Sequence, residues 1–169
     1  TQMSTTNEKA IAFWQRQGVD RVVLAREVSY AELKQIRVRT DLDLEYFIHG
    51  AMCINLSGRC MLSNYYSRRD ANRGGCSQSC RWFYQLYDKE GQPVGQEPFT
   101  MSSRDLSLLR EIPALIELGI DSFKIEGRMK SIHYIATVVS CYRKLIDAYC
   151  ADPDGFVFDE FYEKEIAKA

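Results

Sequence analysis

The chain has 169 residues, 46% of them hydrophobic, with 22 basic against 23 acidic side chains and a net charge of −1. That composition suits one sizeable core and excludes a generally basic nucleic-acid coat protein and an acidic tail protein, so any contact with nucleic acid has to come from a local patch. No stretch reaches the roughly 18 apolar residues of a membrane span, nothing at the start reads as a signal peptide, and the Thr1-Gln2 opening points to a piece of something longer.

In chain order, Asn7–Gln17 reads as a helix, capped by Asn7, with Ala10, Ile11, Phe13 and Trp14 at helical spacing and Gly18 ending it. The apolar run Arg21–Ala25 is a buried strand. Ser29 caps a helix over Tyr30–Arg39, with Glu32 at the capping-box position. Leu44–Ile48 is a second buried strand, closed by His49-Gly50. Residues 50–81 break this rhythm with glycines, cysteines and arginines and are expected to be a small insertion. Trp82, Tyr84 and Leu86 alternate before the turn Asp88–Gly91, a strand or hairpin, and Phe99–Met101 after Pro98 is a further short strand. Ser103 or Asp105 is expected to cap a helical segment over Leu106–Arg110, and Ile112–Leu118 is helical up to Gly119. Ser122–Ile125 is the next strand, Ile132–Tyr149 a long amphipathic helix, and 159–168 a final helix in an aromatic, acidic tail. Strands alternating with helices imply a parallel sheet. A (β/α) barrel takes about 250 residues, so three or four βα units fit either a smaller open α/β domain or part of a barrel, and the start without methionine favours the part.

Three constellations carry chemistry. Cys53, Cys60, Cys76 and Cys80 follow C-x6-C-x15-C-x3-C. Soft thiolates of that kind bind zinc or an iron–sulfur cluster when they converge, and without a secretory signal a reducing, cytoplasmic setting favours metal or redox use. The plainer alternatives are reduced, buried cysteines or disulfides. Cys141 and Cys150, on or after the long helix, read as packing residues. Five arginines (Arg59, Arg68, Arg69, Arg73, Arg81) face one acid, Asp70, with Tyr65, Tyr66 and Trp82 between them. Arginine among aromatics holds phosphates and stacks bases, whereas a solvated loop face is the bland alternative. Lys124-Ile125-Glu126-Gly127-Arg128-Met129-Lys130 runs off a strand, and Arg26-Glu27 and His49 close earlier strands in matching places. Ligands of parallel α/β folds bind at those strand ends, against the alternative of an ion-paired rim. There is no serine nucleophile elbow and no HExxH helix, and only His49 and His133 are available for a hydrolase.

Glu45-x-Phe47-x-x-Gly50-Ala51-Met52-Cys53-x4-Gly58-x-Cys60-x-Leu62-Ser63 resembles the signature of the collagenase-like peptidase family U-32. The likeness extends to His49, Cys76, Cys80, Val23–Glu27, Ser103-x-Asp105-Leu106 and Asp121–Lys130, and covers about residues 1–150. Within the family the chain is similar to the bacterial branch of tRNA wobble-uridine hydroxylation, beside a branch that hydroxylates a cytidine of 23S rRNA.

The resemblance implies a partial, C-terminal half of a TIM-like barrel over 1–150, with the Cys-rich insertion at about 50–81 and a tail helix in 151–169. It implies an iron–sulfur cluster on Cys53, Cys60, Cys76 and Cys80, prephenate as a metabolite, and a tRNA or rRNA substrate. Glu126, Lys124 and His49 are the catalytic candidates. Arg26, Glu27, Arg68, Arg69, Arg73, Arg128 and Lys130 are the substrate or RNA contacts. The alternative activity is a collagenase-like peptidase acting on protein, and a bare half-barrel is expected to dimerise through its open edges.

Overall fold

The computed structural model describes residues 2–95 and 99–169. The elements are α1 (Glu8–Arg16), β1 (Arg21–Val23), α2 (Tyr30–Arg37), β2 (Asp43–Ala51), α3 (Leu62–Ser67), β3 (Leu86–Tyr87), β4 (Pro93–Val94), β5 (Asp105–Ser107), α4 (Ile112–Glu117), β6 (Ser122–Ile125), α5 (Ile132–Ala151) and α6 (Phe161–Ile166). Single 3-10 turns occupy Ala71–Arg73 and Ser79–Arg81. Local chemistry sets several ends. Asn7 accepts from the Ala10 N–H at the start of α1, and Ser29 and Glu32 form the expected reciprocal capping box at α2. Ser131 accepts from the Tyr134 N–H to open α5.

β2 is the hub. It pairs in parallel with β1 through Val23↔Glu45 and with β6 through Glu45↔Ser122. It pairs antiparallel with β5 through His49↔Ser107. At Glu45 the two parallel partners take opposite edges, and at His49 β5 and β6 do the same. A strand has two edges, so β1 and β5 follow one another along one edge and β6 holds the other. The sheet is therefore only three strands wide at any point, and it does not close. The expected α/β class with a parallel sheet is observed, as a mixed sheet with three parallel strands and no closed barrel among the described residues. Of the residues expected as a helix over Leu106–Arg110, Leu106 and Ser107 lie in β5 instead and Leu109–Arg110 form a turn: the free edge of β2 beyond β1 offers backbone partners that outweigh local capping. Asp105, expected as a cap, becomes an ion-pair acceptor. Beyond the expected elements lies α3, and a small β3–β4 hairpin surrounds the Asp88–Gly91 turn. Phe99 makes one parallel bridge to Tyr84, while Pro98 lies outside the described residues.

The two faces of β2 differ. Leu44, Tyr46 and Ile48 join Leu24, Leu33, Ile36, Ile112, Leu115, Val138 and Leu145 in one buried core beneath the helices. Glu45 and Phe47 face the other way, in register with Ser122 and Lys124 of β6. Between Phe47 and His49 the register slips, with two residues of β2 opposite one step of β6, which is a β-bulge. Gly50 follows with φ +112, and a Cβ there would lie 2.1 Å from the Glu126 carbonyl oxygen. Only glycine allows β2 and the end of β6 to come that close.

Candidate functional site

The segment after β2 leaves the sheet and folds over its polar face. α3 ends on Arg68 in the left-handed conformation, which turns the chain back. Ser63, buried in α3, is the post around which the cysteine loop winds. Its hydroxyl accepts from the Ser77 N–H at 3.0 Å and lies 3.8 Å from the Cys76 sulfur. The Cys76 sulfur also accepts from the Gln78 N–H at 3.3 Å.

Two arginines tie this loop to its surroundings. Arg128 donates to the Gly74 and Cys76 carbonyls at 3.0 and 2.6 Å. Arg81 donates to the Ser103 carbonyl at 2.7 Å and to the Met52 carbonyl. Glu27 holds the Ser57 N–H in the same lobe. These three side chains, with nothing in the sequence to show it, bind backbone and so fix where the cysteines stand.

Cys53, Cys60, Cys76 and Cys80 are all free thiols, and all four line one cleft of about 290 Å³ with Arg26, Phe47, Lys124, Glu126 and Arg128. Burial, reinforced by the other three cysteines and opposed by Arg81, pushes the Cys80 thiol up. Among the described residues no three Cys, His, Asp or Glu side chains close on a point as one ion requires. What suits the cleft to a metal-containing group is the donor set, four soft thiols lining one cavity.

The cleft floor is strongly polar. Phe47 lies under two cations, with the Arg26 guanidinium 4.2 Å and the Lys124 ammonium 5.5 Å from its ring centre. Lys124 also pairs with Glu45 at 2.8 Å. Burial raises the Glu45 carboxyl, but the Lys124 and Ser122 hydrogen bonds outweigh it and hold it below the usual carboxylate range. Three polar atoms of cleft-lining residues are buried without a partner: Arg26 Nε, Ser57 Oγ and Glu126 Oε2. Orphaned charged groups on a cleft wall mark a place for a ligand.

Not every candidate reaches this cleft. His49 is 3% exposed, and strand alternation would aim it at the cleft beside Phe47. The bulge turns it toward α5 instead, where its Nδ1 lies 3.3 Å from the Tyr142 hydroxyl. That hydroxyl donates to the Ile48 carbonyl at 2.8 Å and accepts from the Leu108 N–H at 3.1 Å. Its one proton being used, Nδ1 is the donor to it. Lys130 points to a neighbouring cavity, paired to Asp105 at 2.7 Å. Asp105 accepts from the buried Tyr134 hydroxyl at 2.6 Å, a network no local motif announced. Arg68, Arg69 and Arg73 stay exposed on the outer face of the cysteine lobe. There Tyr66 contacts Tyr65, Trp82 and Tyr84 with ring centres 5.0, 5.7 and 6.0 Å apart. Cys141 is buried in α5 and Cys150 is exposed at its end. No helix among the described residues is long and apolar enough to cross a membrane.

Compared with known proteins, the sequence model of peptidase family U32 matches residues 1–169. The chain is 58% identical over 174 residues to tRNA hydroxylation protein P1 of Bacillus subtilis, covering 99% of this chain and 41% of that protein. It is 42% identical over 143 residues to the 23S rRNA 5-hydroxycytidine C2501 synthase of Escherichia coli, covering 85% of this chain and 22% of that one. It is 37% identical over 163 residues to a collagenase of Porphyromonas gingivalis, covering 89% and 39%. The chain thus spans well under half the length of these relatives. No solved structure matches it.

Proposed function

The chain belongs to peptidase family U32, and from that premise we propose that it is the cysteine-bearing part of a protein that hydroxylates a pyrimidine of RNA, the wobble uridine of tRNA first. The observation that carries this reading is the cleft in which four free thiols meet Arg26, Lys124, Glu126 and Arg128, in a chain whose relatives are named for tRNA and rRNA hydroxylation. Cys53, Cys60, Cys76 and Cys80 would hold an iron–sulfur cluster, which supplies electron transfer when bound. Arg26 and Lys124, both over Phe47, suit the carboxylates of a small metabolite such as prephenate. The exposed Arg68, Arg69 and Arg73 beside the Tyr65, Tyr66 and Trp82 rings suit phosphates and unstacked bases. In the longer protein β1, β2 and β6 would be consecutive strands of a TIM-like barrel, acting in the cytoplasm where tRNA is decoded.

The other reading, proteolysis, is supported by relatives named collagenase. It has less behind it in the site. His49 is bonded to Tyr142 on the far side of the bulge, and His133 is exposed on α5, so among the described residues no histidine stands beside a cleft thiol as a nucleophile's base.

Two measurements test the proposal. Mass spectrometry of tRNA and rRNA nucleosides from a deletion strain is expected to show loss of 5-hydroxyuridine derivatives, and unchanged RNA removes the reading. Anaerobic purification is expected to give a coloured protein with iron and sulfide. A colourless, iron-free preparation removes the cluster.

A further inference from the structure

Beside the cysteine cleft lies a second cavity of about 350 Å³, and the two share a wall made of Ala51, Gln78, Arg81 and Glu126. We propose that this second cavity receives one pyrimidine nucleotide turned out of the RNA, its donor edge read by Glu126 and its phosphate by Arg104. The inference rests on the RNA reading above and adds the place and the residues.

Glu126 is the firmest point. Its Oε2 is buried without a hydrogen-bond partner, while Oε1 accepts only a long contact from the Arg128 N–H at 3.4 Å. A buried carboxylate oxygen left unpaired costs on the order of 1–3 kcal/mol, and a native fold keeps such a group where a ligand completes it. Its backbone is held in place: the Glu126 N–H donates to the His49 carbonyl at 2.9 Å, and Gly50 abuts the Glu126 backbone too closely for any side chain. A carboxylate accepts and cannot donate. It therefore selects the N–H groups that uracil and cytosine carry on their Watson–Crick edge, the edge by which turned-out bases are read.

The cations of this cavity are not equivalent. Lys130 is paired with Asp105, and Arg81 is spent on the Met52 and Ser103 carbonyls. Arg104 alone of the three makes no hydrogen bond or ion pair among the described residues. An exposed guanidinium free at the mouth is the group that meets a phosphate. Met129, 66% exposed on the same rim, offers the base an apolar flank. The shared wall then holds the base between its phosphate anchor and the thiols.

The test is binding of an anticodon stem-loop RNA to the full chain by fluorescence anisotropy, with uridine or 3-methyluridine at the wobble position. Methylation removes the N3–H donor. Wild type is expected to favour uridine about tenfold, the size of one hydrogen bond to a charged acceptor, and Glu126→Ala to bring that ratio close to one. Arg104→Ala, at an exposed site that leaves the fold intact, is expected to weaken both RNAs alike and lower the salt slope by about one. Equal binding of the two RNAs by wild type, or an unchanged salt slope in Arg104→Ala, overturns the proposal while leaving the RNA reading standing. Failure of wild type to bind either RNA removes both.

Discussion

Histidine 49 shows how one backbone irregularity decides what a residue does. Burial, helped by Lys130 and opposed by Asp105, pushes its imidazole below the usual range. The same surroundings push the Tyr142 phenol up to about 12, mainly by burial. The folded chain thus holds His49 neutral, whereas the unfolded chain takes up a proton below about pH 6.5. Stability is accordingly expected to fall as pH is lowered from about 7 to about 5.5. Urea midpoints across that range are expected to show the slope in wild type and to lose it in His49→Asn, which keeps a donor near the Tyr142 hydroxyl. Glu45 and Asp105, both held low by their lysines against burial, act only in a more acidic window, below about pH 4.5. Arg128 makes the opposite point, for its fork is turned to loop carbonyls and not to substrate. Arg128→Lys loses one arm of that fork, and alkylation of Cys76 followed by mass spectrometry is expected to speed up several-fold with little change in global melting. The cysteine spacing and the Lys124–Lys130 run were readable in the sequence because each is local. The roles of His49, Arg81 and Arg128 were not, because a bulge and two contacts more than twenty residues apart assign them.

Among the elements, β2 and α5 do most of the organising. β2 is bonded along both edges, and α5 lays Tyr134, Val138, Cys141, Tyr142, Leu145 and Tyr149 against the core. Leu145→Ala, at a site with no exposure, is expected to cost about 2–5 kcal/mol. Tyr142→Phe keeps the packing and orphans the Leu108 N–H, so about 1–3 kcal/mol is expected, and paired urea titrations separate the two. The helices announced themselves through caps and spacing: Asn7, Ser29 with Glu32, and the apolar stripe of α5 all act within a turn or two. β5 and α3 did not. β5 exists because a distant strand edge lacked a partner, and α3 is held by Ser63, Ser67 and Ser77, whose mutual hydrogen bonds look like ordinary loop composition.

At the scale of the whole molecule, alternation of strands and helices gave the class but not the closure. The three parallel strands were legible in the sequence, β1 by its apolar run, whereas the width of the sheet depends on which edges find partners. β6 pairs only with β2 among the described residues, so its outer edge is open to another strand. Concentration-dependent self-association is expected in sedimentation velocity, and a strict monomer at all concentrations would count against an open edge of this kind. The core beneath the helices contains none of the four cleft thiols, which hang on a lobe clamped by hydrogen bonds to its backbone. For the cluster proposed above this implies an order of events in time: the chain would fold first and be charged afterwards. In a zinc finger, chelation is denaturation. On the same proposal a chelator is expected to strip the cleft and leave a cooperative thermal transition in circular dichroism, the emptied protein staying folded and ready to be filled again.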